Sequence, residues 1–286
     1  MTIRRDLHEA NRRSWNAATR AHDSHKLGQA AYLRAGGTTL FSEELDLLGD
    51  VAGQSLVHLQ CNGGPDTLSL AARGARVCGV DISDEAIASA RQLSADSDLP
   101  GEFVRADVYD FFAEAAAAGR RWDVAFASYG ALCWLSDLDA WARGVAGLLA
   151  PGGRLVVVEF HPIAAAHDPD LVRRRRYFWR GEPERQEGIG DYVALSGAAL
   201  VPWGYTDGVT DFQNPHECHE FGWTLGEVLG AVLGAGLRLE AFHEWPYTNG
   251  CRFFDGMVER ADRRWVLPAG VPDLPLMYGL RARTAE

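Results

Sequence analysis

Several features typical of other protein classes are missing from this sequence. No apolar run reaches the ~20 residues of a membrane span, and the start, MTIRRDLHEANRR, lacks the apolar centre of a signal peptide. The chain has 286 residues and only five cysteines, which have no CxxC or CxxH spacing, so neither a disulfide framework nor a zinc site is indicated. We therefore expect a cytoplasmic protein with reduced cysteines. These are Cys61, Cys78, Cys133, Cys218 and Cys251.

Basic residues are also scarce. The chain has 28 Lys and Arg against 39 Asp and Glu, a net charge of −11. Because nucleic-acid binding depends on basic contacts to phosphate, we expect no nucleic-acid or membrane partner, and a small molecule as the ligand. A hydrophobic content of 47% is ample for one large α/β core. The protein is expected to be a monomer or a homodimer.

The stretch Leu56–Ser83, LVHLQCNGGPDTLSLAARGARVCGVDIS, organises the chain. The apolar run Ser55–Leu59 predicts a buried strand, and the small, polar residues Gln60–Pro65 predict a turn before a helix. A second apolar run, Val77–Val80, predicts the next strand, which ends at Asp81. Together these segments form a βαβ unit with an acid at the tip of its second strand. Such an acid can accept hydrogen bonds from both hydroxyls of a ribose.

The turn decides which nucleoside cofactor the unit can hold. A dinucleotide site needs G-x-G-x-x-G so that the backbone can approach a pyrophosphate. Here Gln60 and Asn62 occupy the first two glycine positions, and Gln60 closes that approach. S-adenosylmethionine carries no phosphate and needs only room beside the turn and amides for its carboxylate. The turn therefore favours S-adenosylmethionine.

The motif HLQCNGGPDTLSLA, followed by GVDIS, resembles motifs I and II of class I S-adenosylmethionine-dependent methyltransferases. It looks most like the subgroup whose first motif reads HLQCxxGxDTLSxA. The resemblance continues through FVRADVYDF, WDVAFASYGALCWLSDLDAW, LLAPGGRLVVVEFHP and GLRLEAFHEWPY, from about Leu56 to Tyr247. It implies a Rossmann-like α/β fold with a seven-stranded, mostly parallel sheet and an antiparallel edge strand. It also implies S-adenosyl-L-methionine as the cofactor and S-adenosyl-L-homocysteine as its product.

The domain organisation follows from this reading. Residues 1–50 are expected to form an N-terminal helical lid, and residues 51–160 the cofactor-binding core. Residues 161–222 lose the regular period and are rich in aromatics, which predicts a substrate cap inserted after the fifth strand. Residues 223–286 complete the core with the last helix and strands 6 and 7. The link from Pro246 to Pro275 is expected to return over the surface.

The resemblance also assigns residues to the cofactor. It implies that Asp107 accepts from the adenine amino group, that the amide of Val108 donates to a ring nitrogen, and that Ile82 packs on the adenine face. Trp15 and His22 are lid candidates, with simple core packing as the alternative for Trp15. The predicted cofactor-binding set is Trp15, His22, Gln60, Cys61, Asn62, Gly64, Asp66, Thr67, Asp81, Ile82, Asp107, Val108, Ser128 and Tyr129.

The methyl acceptor is expected at the carboxyl ends of the fourth and fifth strands. His161 leaves the fifth strand there and is the candidate general base, because imidazole titrates near neutrality. Glu159, two residues back on the same side of the strand, is expected to orient the imidazole or stabilise its charge. Tyr129, His216 and His219 are alternative bases. The predicted substrate-binding residues are Trp134, His161, His216, His219 and Trp223. The subgroup usually has a histidine where Trp223 stands here, so that histidine's role does not carry over.

Three functions compete at this point. The favoured one is an O- or N-methyltransferase acting on a small metabolite, in natural-product biosynthesis. The second is a protein of the same fold that binds S-adenosylmethionine without methylating, such as a cyclase or a regulator. The third, a nucleotide-dependent oxidoreductase, is disfavoured by Gln60 and Asn62. No metal is expected, because HECH at 216–219 is too short and isolated for a zinc site.

Overall fold

The computed structural model describes residues 2–285 and contains one large sheet flanked by helices. The helices are α1 (Arg5–Ser24), α2 (Gln29–Arg34), α3 (Ser42–Leu48), α4 (Pro65–Ala72), α5 (Asp84–Ser97), α6 (Val108–Ala117), α7 (Leu138–Leu148), α8 (Pro162–Ala165), α9 (Tyr192–Ser196) and α10 (Leu225–Gly234). The strands are β1 (Ser55–Leu59), β2 (Arg76–Asp81), β3 (Glu102–Arg105), β4 (Trp122–Ser128), β5 (Leu149–Phe160), β6 (Pro183–Gln186), β7 (Cys218–Phe221), β8 (Arg238–Trp245), β9 (Tyr247–Asn249), β10 (Val258–Glu259), β11 (Arg264–Val266) and β12 (Met277–Arg283).

The main sheet has seven strands in the order β3-β2-β1-β4-β5-β12-β8. The first five are parallel, and β12 runs antiparallel to both β5 and β8. The predicted mostly parallel sheet is confirmed, with the antiparallel strand one place in from the edge. The strand order reverses between β1 and β4, and ligands of open α/β sheets bind outside the carboxyl ends of strands at such a point.

Two apolar layers hold the sheet. One face packs on α6, α7 and α10 around the buried Trp141, Leu155 and Tyr278, and the other packs on α3 and α4 around Leu56 and Phe126. Both faces of the central strands are therefore covered, as a parallel sheet requires.

Residues between β5 and α10 fold as short elements instead of a plain loop. They include α8, α9 and the two-stranded antiparallel ribbon of β6 and β7. Side chains of α1 bind this ribbon: the amide of Asn11 donates to the carbonyl of His219 and accepts from its N–H, at 2.9 and 2.7 Å. Ser14 links to His216 and Ile189 in the same way. The N-terminal helix and the ribbon are thus one hydrogen-bonded unit.

The link after β8 differs from expectation. It forms a small sheet in the order β10-β11-β9, and Asn249, Cys251, Phe253 and Arg263 from it line the central cavity. The prediction that this link only returns over the surface was wrong. Its turn residues suggested a loop. In the structure β11 pairs with β9 over three residues and with β10 over two, and ladders this short leave no pattern in the sequence.

Candidate cofactor and acceptor site

A cavity of about 690 Å³ lies at the carboxyl ends of β1, β2, β4 and β5. The turn after β1 forms part of its wall. Gln60 and Asn62 have left-handed backbone angles, with φ of +56° and +49°, which cost a non-glycine residue some stability. Gln60 makes use of its side chain, because Nε2 donates to the carbonyl of Ala131 at 2.6 Å and ties this turn to the loop after β4. Asn62 closes the turn by accepting from the N–H of Gly63.

Gly64 supports the turn from below. Its φ is +79°, and a Cβ placed there would come within 2.8 Å of the Phe103 ring and 2.9 Å of Ala90. Gly64 is not among the residues that line the cavity. A glycine is therefore needed here because the turn packs closely against α5 and β3. The sequence had suggested instead that Gly64 contacts the cofactor.

Asp81 is held at the end of β2. One carboxylate oxygen accepts the N–H of Asn62 at 2.9 Å and the other accepts that of Ser83 at 2.8 Å. Burial raises the pKa of Asp81 against the effect of these amides. The carboxylate lines the cavity with its orientation fixed, and each oxygen retains acceptor capacity for a ribose hydroxyl.

Asp107 already has a partner within the protein. One oxygen caps α6 through the N–H of Tyr109 at 2.9 Å, and the other lies 2.7 Å from Nδ1 of His8. Burial acts to raise the pKa of Asp107, but the hydrogen bond and charge of His8 and the charge of Arg5 lower it overall. His8, Asp107, Val108 and Ile82 all line the same part of the cavity.

The loop after β4 is held by Glu159. Its carboxylate accepts the N–H groups of Ala131, Leu132 and Phe160 at 2.7–3.0 Å, and that of Gly130 more closely. Burial raises the pKa of this carboxyl, opposed by the four amides. The expectation that Glu159 orients His161 was wrong, because both of its oxygens are engaged by backbone.

Glu244 faces His161 instead. Nε2 of His161 lies 3.0 Å from a Glu244 carboxylate oxygen, off the axis of a good hydrogen bond. Nδ1 of His161 accepts the N–H of Ile163 and so caps α8. Burial lowers the pKa of His161 against the opposing charge of Glu244. The ring lines the cavity as a neutral imidazole near pH 7.

Tyr129 has a strained backbone, with φ of +36°. Its hydroxyl accepts from Asn249 Nδ2 at 2.8 Å, and burial together with the charge of Glu44 raises its pKa well above the ordinary value. Tyr129 therefore keeps its proton at neutral pH, which argues against its role as an alternative base. Glu44 is itself buried in the cavity wall, with a raised pKa caused by burial and by Asp66.

The two predicted lid residues, Trp15 and His22, have different surroundings. Trp15 lines the cavity and packs edge-to-face on Trp134, with ring centroids 5.5 Å apart. His22 is fully buried, donates from Nε2 to the carbonyl of Gly190 at 3.0 Å, and packs on Tyr192 with ring centroids 4.2 Å apart. It is not among the cavity-lining residues, so the structure gives it a packing position.

Most of the predicted site residues are brought together. Those that line the cavity are Trp15, Gln60, Cys61, Asn62, Asp66, Asp81, Ile82, Asp107, Val108, Ser128, Tyr129, Trp134, Glu159, His161 and Trp223. Thr67 is buried outside it, bonded to Nδ1 of His58. His219 lies on β7 and His216 just before it, and neither lines the cavity. His216 is exposed. The sequence reading missed His8, Glu44, Asn249 and Arg263, which no local motif marks.

The geometry suits a nucleoside cofactor without phosphates. The acid at the end of β2 is fixed toward the cavity, and the adjoining turn presents a glutamine side chain where a pyrophosphate would need open backbone. In the described residues, 2–285, no helix is long and apolar enough to cross a membrane. Across the same range no three His, Cys, Asp or Glu side chains cluster as a metal site would need.

Comparison with known proteins agrees with this geometry. Residues 57–155 match a family model described as a methyltransferase domain. An S-adenosylmethionine-dependent methyltransferase from Mesorhizobium loti superposes with a TM-score of 0.58 at 22% identity, covering 86% of this chain and 98% of that one. No curated protein matches the sequence.

Two further solved structures share the fold. The CcbJ methyltransferase from Streptomyces caelestis has a TM-score of 0.58 at 16% identity, covering 96% of this chain and 99% of its own. The glycopeptide N-methyltransferase MtfA, complexed with S-adenosylmethionine, has a TM-score of 0.51 at 18% identity and covers 87% and 88%. At these identities the similarity establishes the fold.

Proposed function

We propose that the protein, whose residues 57–155 match a methyltransferase-domain model and whose fold is that of S-adenosylmethionine-dependent methyltransferases, methylates a small metabolite at oxygen or nitrogen. The observation that carries this proposal is the fixed carboxylate of Asp81 beside a turn closed to pyrophosphate. The acceptor is proposed to be an intermediate of natural-product biosynthesis, in line with the fold's similarity to a glycopeptide N-methyltransferase.

S-adenosylmethionine, when bound, supplies a methyl group already activated on a sulfonium. The main task of the protein's residues is then to position the cofactor and the acceptor. Asp81 holds the ribose, while Ile82, Asp107 and Val108 surround the adenine. Glu159 fixes the loop after β4, and Ser128 and Tyr129, which line the cavity at the end of this strand, would contact the bound cofactor. Holding two reactants in line can contribute several orders of magnitude in rate.

Aromatic side chains cover part of this space. Trp15 and Trp134 form an aromatic pair at the cavity wall, and an aromatic face attracts the cationic sulfonium. Trp223, whose indole N–H donates to the carbonyl of Leu135 at 3.0 Å, lines the acceptor side. Backbone groups of His216 and His219 hold α1 in place, and His22 contributes through its packing on Tyr192.

A base is needed only if the acceptor is a hydroxyl or an ammonium. We assign that role to His161, because its ring is neutral near pH 7 and lies at the end of β5 in the cavity wall. The ring must give up its bond from Ile163 to take a proton at Nδ1. Since a sulfonium methyl needs no Lewis acid, the reaction is proposed to be independent of metal ions.

The direct test is transfer of labelled methyl from S-adenosylmethionine to a panel of small hydroxyl and amine acceptors, run with and without EDTA. Label on an acceptor, with equal release of S-adenosylhomocysteine in both conditions, supports the proposal. The alternative, a cyclase or regulator that binds the cofactor without methylating, predicts tight binding with no labelled acceptor. Activity lost with EDTA and restored by magnesium would overturn the metal-independent mechanism.

A further inference from the structure

The corner of the cavity around Arg263 carries charged side chains to which the proposed function gives no role. Lys26, Arg175 and Arg263 are the lysines and arginines that line the cavity. Lys26 lies 3.5 Å from Asp23, and Arg175 lies 3.4 Å from Asp168. Among the described residues, no carboxylate forms an ion pair with Arg263. A half-buried guanidinium without an ion-paired carboxylate, in the wall of a ligand cavity, points to an anionic group supplied by a ligand.

The position of Arg263 is tightly determined. Its guanidinium lies over the Phe41 ring, 4.1 Å from the ring centre, and Nη2 donates to the carbonyl of Thr39 at 3.3 Å. The residue sits at φ +65° in the turn between β10 and β11, a backbone conformation that non-glycine residues seldom adopt. The backbone, the aromatic ring and the carbonyl thus hold this cation at the cavity wall.

Thr39 joins this cation to an acid. Its hydroxyl donates to Asp66, which also lines the cavity. Burial raises the pKa of Asp66, whereas the Thr39 hydrogen bond and the charges of Arg263 and Lys26 act to lower it. Around Thr39, the cavity wall therefore presents both cations, Arg263 and Lys26, and the carboxyl of Asp66. This arrangement complements a group that carries both an ammonium and a carboxylate.

The topology places the corner at one end of the cofactor. The sheet order is β3-β2-β1-β4, with Asp107 just after the end of β3 and Asp81 at the end of β2. A nucleoside with its ribose on Asp81 and its base toward Asp107 must extend its remaining chain over the end of β1. The turn after β1 leads there into α4, whose second residue is Asp66. The amino-acid end of the cofactor is therefore expected beside Thr39 and Asp66.

We propose that the excursion β9–β11 is a cofactor clamp, in which Arg263, assisted by Lys26, binds the carboxylate at the amino-acid end of S-adenosylmethionine. This inference rests on the proposed function and adds residues to it that lie outside the 57–155 domain match. The clamp explains why this link folds back onto the cavity. It also ties cofactor binding to a segment near the end of the chain.

The test compares two ligands by calorimetry, neither of which requires turnover. One is S-adenosylhomocysteine and the other is its decarboxylated amine, S-adenosyl-3-thiopropylamine, which lacks only the carboxylate. Arg263→Gln should weaken S-adenosylhomocysteine binding roughly 10- to 100-fold, as expected for a charge-assisted hydrogen bond, and leave the amine's affinity nearly unchanged. Arg260→Gln is the matched control, since Arg260 is exposed in the same turn and does not line the cavity.

The outcomes separate the two proposals. Equal losses for both ligands, or no loss for either, would overturn the clamp while leaving cofactor binding established. A wild-type protein that binds neither ligand would overturn both the clamp and the proposed function. If Arg263→Gln does not fold, Lys26→Gln provides the same comparison from the segment that follows α1, and the clamp predicts the same selective loss for the carboxylate-bearing ligand.

Discussion

Nδ1 of His8 lies 2.7 Å from a carboxylate oxygen of Asp107, joining the N-terminal helix to the residue that follows β3. The two side chains are 5% and 11% exposed, so the bond is largely protected from water. It joins α1 to the part of the cavity where the adenine is proposed to lie. The carboxylate of Asp107 is therefore held in place by His8 even when no ligand is bound.

His8→Ala should therefore destabilise the protein by about 1–3 kcal/mol, because it leaves a mostly buried carboxylate without its partner. Urea unfolding of the variant measures this change, with Arg13→Ala as the control, since Arg13 is exposed on the same helix. S-adenosylhomocysteine affinity should fall as well, since α1 loses one attachment. An unchanged unfolding midpoint would show that the His8–Asp107 contact contributes nothing.

The main strands and the ribose acid could be predicted from sequence because their signals are local. The strand predicted at Ser55–Leu59 is β1 itself, and Asp81 ends β2 as expected. Residues such as Arg263 and Thr39 are 224 positions apart in the chain. No periodicity or motif reports that they meet, so the clamp and the partner of Asp107 required the structure.

The same distinction explains the error over Glu159. Two-residue spacing along a strand correctly placed Glu159 and His161 at the carboxyl end of β5. It could not show that three backbone amides of a neighbouring loop and that of Phe160 would take the carboxylate, nor that Glu244 of β8 would face the imidazole. Strand geometry fixes which residues share a face, whereas their partners depend on the neighbouring elements.

Asn11 should control how firmly α1 is docked on the ribbon of β6 and β7. Asn11→Ala leaves the N–H and the carbonyl of His219 without their side-chain partner, so the helix–ribbon contact is expected to weaken by about 1–3 kcal/mol. Hydrogen exchange at residues 216–221 should accelerate, and cofactor affinity should decrease. Exchange rates that match those of the wild type would show that the ribbon is held independently of α1.

The pH dependence of stability should reveal the neutral state of His58. Burial lowers the pKa of His58 to about 3, while the unfolded chain titrates near pH 6.5. The unfolded state therefore binds a proton that the folded state rejects, and stability falls as the pH drops below about 6.5. The loss is about 1.4 kcal/mol per pH unit for this group.

Other groups titrate in the same range, so the comparison is with His58→Gln. The stability advantage of the wild type over this variant should shrink between pH 6.5 and 5 at about that slope. Chemical unfolding at several pH values gives the difference directly. A difference that stays constant over this range would mean that His58 is not forced to be neutral by the fold.

His161→Ala should lower turnover ~10²–10⁴-fold, the range expected for loss of a general base, once an acceptor is in hand. Cofactor affinity should be nearly unchanged, and the variant should still fold, with some loss of stability because it removes the cap of α8. Glu244→Gln is the companion variant, since it retains the shape of the partner and removes its charge. Near-normal turnover of His161→Ala between pH 6 and 9 would leave positioning alone to account for catalysis.

The most direct test of the central claim is a calorimetric titration of the wild-type protein and Asp81→Ala with S-adenosylhomocysteine. The wild type should bind one equivalent, with no comparable binding of NAD. Asp81→Ala should bind roughly 2–4 kcal/mol more weakly, because it loses an acceptor of charge-assisted hydrogen bonds. Glu114→Ala, an exposed acid outside the cavity, should behave as the wild type. Unchanged affinity in a folded Asp81→Ala protein, or preferential binding of NAD, would contradict the account.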